Sequence, residues 1–222
     1  MYSWDFSPVW RHFGFLLGGL IETIELSAAV IVLGMIIGLG LAVMRMARIK
    51  LLTLPARAII TFYRNTPPLV HLFFFFYGLP ILIGASLSPF IAALTALSIQ
   101  GGAFFAEAYR GGILSIERGQ WEAGRAIGMG NVALMRRIIL PQAIRRMIPP
   151  LMERCFELIK TTPLAATLTY SELLYRSMAL TSETFRPLEI YSTVAVLFLV
   201  LLTAFSLVVR YAEARIGIVQ AR

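Results

Sequence analysis

Five long apolar segments alternate with polar ones along the chain, at about residues 15–44, 58–83, 89–109, 147–170 and 190–209. From Asn65 to Ala106 there is no Asp, Glu, Lys or Arg, and His71 is the only side chain there that titrates near neutrality. A run of that length can cross a bilayer twice, because one crossing takes about 20 apolar residues, whereas a buried soluble helix needs about 10–14. The pattern predicts an all-α integral membrane protein: residues 1–222 form a single membrane domain of five transmembrane helices. The first span opens with Glu22 and Glu25, and its Gly34 and Gly38 make a small-xxx-small pair that lets another helix approach closely. The second is interrupted by Thr66-Pro67-Pro68, which removes two backbone donors and should kink or break the helix. The fourth begins with Pro149-Pro150, where proline suits a first helical turn.

The longest polar stretch, residues 110–146, carries seven arginines against Glu117 and Glu122. Counting Lys and Arg orients the chain. The loop after the first span, this insert and the C-terminal tail (Arg210, Arg215, Arg222) hold fourteen, while the N-terminal segment and the loop after the fourth span hold three. With five spans the basic regions share one side, so the N-terminus is expected outside and the insert and C-terminus in the cytoplasm.

Composition agrees: 58% of residues are hydrophobic and 14% charged, with a net charge of +8. The basic residues lie between apolar segments, which is the positive-inside pattern, and no nucleic-acid-binding signature accompanies them. Cys155 is the only cysteine, which excludes an intrachain disulfide and suits a small buried side chain. The N-terminus has no basic n-region or small-residue cleavage site, so the first helix is expected to be retained. No phosphate-binding G-x-x-x-x-G-K-[ST] occurs, and the two histidines, far apart, make no metal site. This chain is therefore expected to bind no cofactor, metal or ATP and to have no catalytic residues.

Within the insert, Glu122-Ala123-Gly124 is followed by Gly128 and then Ile138-Ile139-Leu140-Pro141. A short helix from about Gln120 to Ile127, a left-handed turn at Gly128 and a second helix from about Val132 to Ile139, stopped by Pro141, make a docking element. The spacing resembles the E-A-A, x3, G, x9, I-x-L-P loop of permeases in ATP-binding-cassette importers, with Gly124 where the pattern has alanine. Tyr63-Arg64-Asn65-Thr66-Pro67-Pro68-Leu69-Val70, Arg110-Gly111-Gly112-Ile113, Leu158-Ile159-Lys160-Thr161-Thr162-Pro163-Leu164 and Phe185-Arg186-Pro187-Leu188-Glu189-Ile190-Tyr191 resemble segments of the polar amino-acid branch, histidine, glutamine or arginine permeases among them. The resemblance implies a type I importer permease fold in the bacterial cytoplasmic (inner) membrane. It also implies a second permease subunit, identical or paralogous, two ATPase subunits that bind the ATP, an extracytoplasmic substrate-binding protein and a polar amino-acid substrate. Coupling to the ATPase falls to Glu122, Ala123, Gly124, Gly128, Ile138, Leu140 and Pro141.

Charges inside a span are costly and mark candidate functional sites. In the fourth span Glu153, Glu157 and Lys160 fall within roughly 60° of one another at about 100° per residue. Thr161, Thr162 and Pro163 follow, so the helix is expected to unwind locally, as transporter helices do at midplane sites. The expected substrate path comprises Asn65, Thr66, Glu157, Lys160, Thr161 and Thr162, with Glu157 meeting an ammonium group and Lys160 a carboxylate. A structural ion pair, Glu157 with Lys160 or Arg154, is the other reading of these charges. A stand-alone ion-coupled carrier is the rival function, but such carriers usually carry internal repeats, and none is found.

Overall fold

The first apolar segment becomes one unbroken helix. The structure, a computed structural model, describes residues 2–216, and all regular elements among them are helical. Arg222 of the basic tail lies outside the described residues. A short helix α1 (Ser7–Arg11) leads into α2 (Phe13–Met46), which contains no proline and ends at extended Ala47. The second segment is broken, as Pro67-Pro68 predicts. Helix α3 (Lys50–Asn65) is followed by α4 (Pro68–Phe73), a wide π turn (Phe74–Gly78) and α5 (Leu79–Ile83), and the two parts bend by 110°. Next comes α6 (Pro89–Leu114), whose cap Ser88 accepts the Ile91 N–H at 3.3 Å.

Helices α2 and α6 form the spine, with α9 (Leu140–Thr161) against the other flank of α6. Glycine sets the approach of α2 to α6. A Cβ on Gly38 would lie 2.6 Å from the Phe105 Cβ and 2.8 Å from the Gly102 carbonyl oxygen. The core runs along this spine through Leu26, Val30, Ala96, Leu97 and Phe105, with Cys155 buried beside it.

The polar insert is mostly helical: α7 (Arg118–Ala126), α8 (Asn131–Leu134), a π turn (Met135–Ile139) and then α9. Two proline expectations are corrected here. Pro141 does not stop the second helix; it sits in the first turn of α9. The Leu140 N–H reaches back to the Met135 carbonyl, and this wider turn absorbs a proline that has no N–H. Pro149 and Pro150 lie inside α9 rather than at its start. The carbonyls they leave without donors belong to Arg145 and Arg146, both exposed residues, and the helix runs on through them.

After Thr161 the chain tightens into a 3-10 helix (Thr162–Leu168), where the sequence predicts unwinding. A helix the pattern does not predict follows, α10 (Leu173–Thr184), and then α11 (Pro187–Ile216). Helices α2, α6 and α11 are each long and apolar enough to cross a membrane, and the bent pair makes a fourth span if its parts count together. The predicted fourth segment, 147–170, is not one apolar helix: α9 carries Glu153, Arg154, Glu157 and Lys160 and gives way to the 3-10 helix.

Candidate functional site

The site grows from the break between α3 and α4. Pro67 and Pro68 have no N–H, so the carbonyls of Tyr63 and Arg64 lose their donors one helical turn on. Gln100 of α6 supplies the substitute: its Nε2 donates to the Thr66 carbonyl at 3.2 Å and to the Tyr63 carbonyl at 3.5 Å. The Thr66 hydroxyl donates to the Phe62 carbonyl at 2.8 Å. Gln100 is 6% exposed, deep for an amide, and its importance escapes the sequence reading. The available signal is that it is the only amide on α6.

A cleft of about 350 Å³ opens against this break. Of the six expected path residues, Asn65, Thr66, Glu157 and Thr161 line it, α3 contributing one side and α9 the other. Gln100 and Phe104 of α6 form its back, and Arg64 and Arg154 complete its charge. Arg154 donates to Glu157, and the guanidinium carbons of Arg154 and Arg64 lie 4.0 and 5.5 Å from the centroid of the Phe104 ring. The cleft thus presents one carboxylate, two cations and an aromatic face. The paired side chains remain 32% (Arg154) and 51% (Glu157) exposed. An ion pair this open contributes about 0–1 kcal/mol, so a charged ligand can replace either partner at little cost.

The other two expected residues lie elsewhere. Lys160 borders a different surface hollow with Phe156, Ser206 and Arg210, and among the described residues it has no carboxylate within 4 Å. Glu157 is therefore paired with Arg154 and not with Lys160. Thr162 is buried: its hydroxyl donates to the Leu158 carbonyl at 2.9 Å and lies 2.9 Å from the Ser27 hydroxyl, tying the 3-10 helix to α2. The Thr161 hydroxyl donates to the Glu157 carbonyl at 2.7 Å. His71 is a packed side chain, its ring 4.4 Å from that of Tyr63.

The helix–turn–helix element of the insert has the expected turn. Gly128 has φ +79°, its N–H donates to the Arg125 carbonyl at 2.9 Å, and the Met129 N–H donates to the Gly124 carbonyl at 3.1 Å. These bonds close α7 and reverse the chain into α8. Gly124 is covered by Leu134, whose Cδ1 would lie 2.3 Å from an added Cβ. Glu122 and Ala123 stay exposed on α7, while Ile138 is half-buried and Leu140 and Pro141 are exposed at the return to the membrane helices.

Residues 25–218 match the family model for the binding-protein-dependent transport system inner membrane component. The chain belongs to this permease family. The permease is 38% identical over 201 residues to the octopine transport system permease protein OccM of Rhizobium radiobacter, covering 87% of this chain and 82% of that one. It is 34% identical over 217 residues to the glutamine transport system permease protein GlnP of Escherichia coli, covering 97% and 99%. Among solved structures, an amino acid ABC transporter crystallised with histidines superposes with a TM-score of 0.92 at 31% identity, over 96% of this chain and 100% of that one. The methionine transporter MetNI, at 19% identity and a TM-score of 0.78, shares the fold. The permease has the all-helical type I importer fold and is the membrane transport subunit of an ATP-binding-cassette importer.

Proposed function

We propose that this permease carries a polar amino acid through the bacterial inner membrane, and that the cleft at the α3–α4 break belongs to its path. The observation that carries the reading is the set of groups around that cleft. Glu157 suits an α-ammonium or cationic side chain, while Arg154 and Arg64 suit a carboxylate, the task the sequence reading gives to Lys160. Relatives named as glutamine, octopine and amino-acid permeases support this substrate class. Five spans are reached by counting the bent pair as one and α9 with its 3-10 helix as another, with Arg154 and Glu157 at the α3–α4 cleft and Lys160 at the hollow beside α11. The N-terminus is then outside and the insert cytoplasmic, in keeping with the distribution of Lys and Arg.

In this scheme the permease pairs with a second permease subunit and with two ATPase subunits, which bind the ATP, and it receives substrate from an extracytoplasmic binding protein. Glu122 and Ala123 on α7 enter the ATPase surface. Gly128 fixes the angle between α7 and α8, and Ile138, Leu140 and Pro141 pass the motion into α9, which bears the charges of the cleft. Asn65, Thr66 and Thr161 supply uncharged polar groups. Thr162 holds the end of α9 to α2, and Lys160 stands outside the single-chain cleft. The test is uptake of labelled arginine, histidine, glutamine and glutamate into proteoliposomes holding the permease with its ATPase. Accumulation only with ATP is the expected result. Uptake driven by an ion gradient without ATP would establish the ion-coupled carrier instead.

A further inference from the structure

A second cleft, of about 780 Å³, lies where the end of α2, the first turns of α3 and the end of α6 meet α7. Five arginines line it: Arg45, Arg48, Arg57 and Arg110 from the membrane helices and their joint, and Arg125 from α7. Among the described residues, the one carboxylate paired with any of them is Glu107, at 3.1 Å from Arg45 and 2.7 Å from Arg110. Arg48, Arg57 and Arg125 have no carboxylate within 4 Å there. One guanidinium nitrogen of Arg45, Nη1, is buried with no hydrogen-bond partner. Like charges gathered without counter-charge repel, and a bound anion relieves that repulsion.

The walls identify the kind of anion. Between the arginines stand Met46, Ile113, Leu114, Trp121 and Met135, and Met46 and Leu114 remain exposed. A small soluble anion would leave this apolar surface uncovered. A phosphodiester carried on acyl chains would neutralise the arginines and cover the walls together. The location fits, since Arg45 and Arg48 flank the end of α2, where a spanning helix reaches head-group depth. Planar guanidinium groups bind phosphate through paired N–H donors, and basic pockets between membrane helices are suited to lipid head groups.

We propose that this cleft binds the phosphate head group of an anionic phospholipid of the cytoplasmic leaflet, the choice of leaflet resting on the topology proposed above. The lipid bridges Arg48 and Arg57, at the joint of the membrane helices, to Arg125 and Trp121 on the ATPase-docking helix α7. It thereby ties the coupling element to the membrane surface.

The experiment uses the permease assembled with its ATPase in nanodiscs of phosphatidylcholine with or without phosphatidylglycerol, and native mass spectrometry reads the lipid retained. Phosphatidylglycerol is expected to stay with the wild-type complex and to survive excess inorganic phosphate. Retention is expected to fall about twenty-fivefold in the R48Q/R57Q double variant, each guanidinium contributing about fivefold. R145Q, which removes an exposed arginine outside the cleft, keeps the lipid. Equal thermal unfolding of the complexes in phosphatidylcholine alone shows that the double variant is folded. Unchanged retention in R48Q/R57Q overturns the proposal. Displacement by phosphate would make the cleft a soluble-anion site, and lipid retained by the permease alone but absent from the ATPase-bound complex would assign the arginines to that protein; each also overturns it. The readout needs no transported substrate, so the uptake assignment and the lipid site fail independently.

Discussion

Gln100 holds the broken end of α3 with a single side chain. Its amide serves the carbonyls of Thr66 and Tyr63, the second of which lost its helical donor to Pro67. Leucine has a similar volume and no donor, so Q100L leaves two part-buried carbonyls without this partner, at a cost of about 1 kcal/mol. The thermal unfolding midpoint of the detergent-purified protein is expected to fall; an unchanged midpoint would mean that the break needs no cap from α6. Neighbouring residues at the junction of α9 and the 3-10 helix divide in the same local way. Thr161 lines the cleft, while Thr162, next in the chain, faces α2 and bonds to Ser27.

At the scale of helices, the contact of α2 with α6 depends on glycines too close to their neighbours to be replaced. G38L would push a side chain into the Gly102 carbonyl and Phe105, and backbone cannot yield as a flexible side-chain end can. The cost is expected to be about 1–3 kcal/mol or more, read as a lower unfolding midpoint. G14L, where an added Cβ meets nothing within 4 Å, is expected to leave the midpoint unchanged, and equal loss in both variants would contradict the packing. The glycine spacing and the Pro67-Pro68 break are legible in the sequence because their consequences are local. Pro141 and Pro149-Pro150 are not, because the effect of a proline depends on what happens to the carbonyl it leaves unpaired. In this fold a π turn absorbs the first, and the others leave their unpaired carbonyls on exposed residues. Helix α10 is hidden by a mixed pattern: Glu172 caps it, accepting the Tyr175 N–H at 2.8 Å, but glutamate is not among the residues that mark an N-cap in sequence.

For the whole molecule, the topology proposed from the count of Lys and Arg puts α7 and α10 on opposite sides of the membrane. In a C155S background, single cysteines at Ser182 on α10 and Ala126 on α7, both exposed, test this. A membrane-impermeant maleimide on intact cells is expected to label position 182 and spare 126, and the reverse pattern would invert the topology. The site was legible as a set of charges on one helix, but not in its partners. A separation of roughly 60° on a cylinder does not settle which neighbour a side chain meets. Because α9 packs against both α6 and α11, Glu157 turns to Arg154 and the α3–α4 break, and Lys160 to Ser206 and Arg210. That division permits the most direct test, ATP-driven uptake by E157A and K160A complexes at matched membrane levels and with ATP hydrolysis confirmed. Uptake is expected to fall at least about tenfold in E157A, the order of one lost charged hydrogen bond, and to persist in K160A. Uptake that survives E157A, or is lost in K160A alone, would contradict the placement of the path in the cleft at the α3–α4 break.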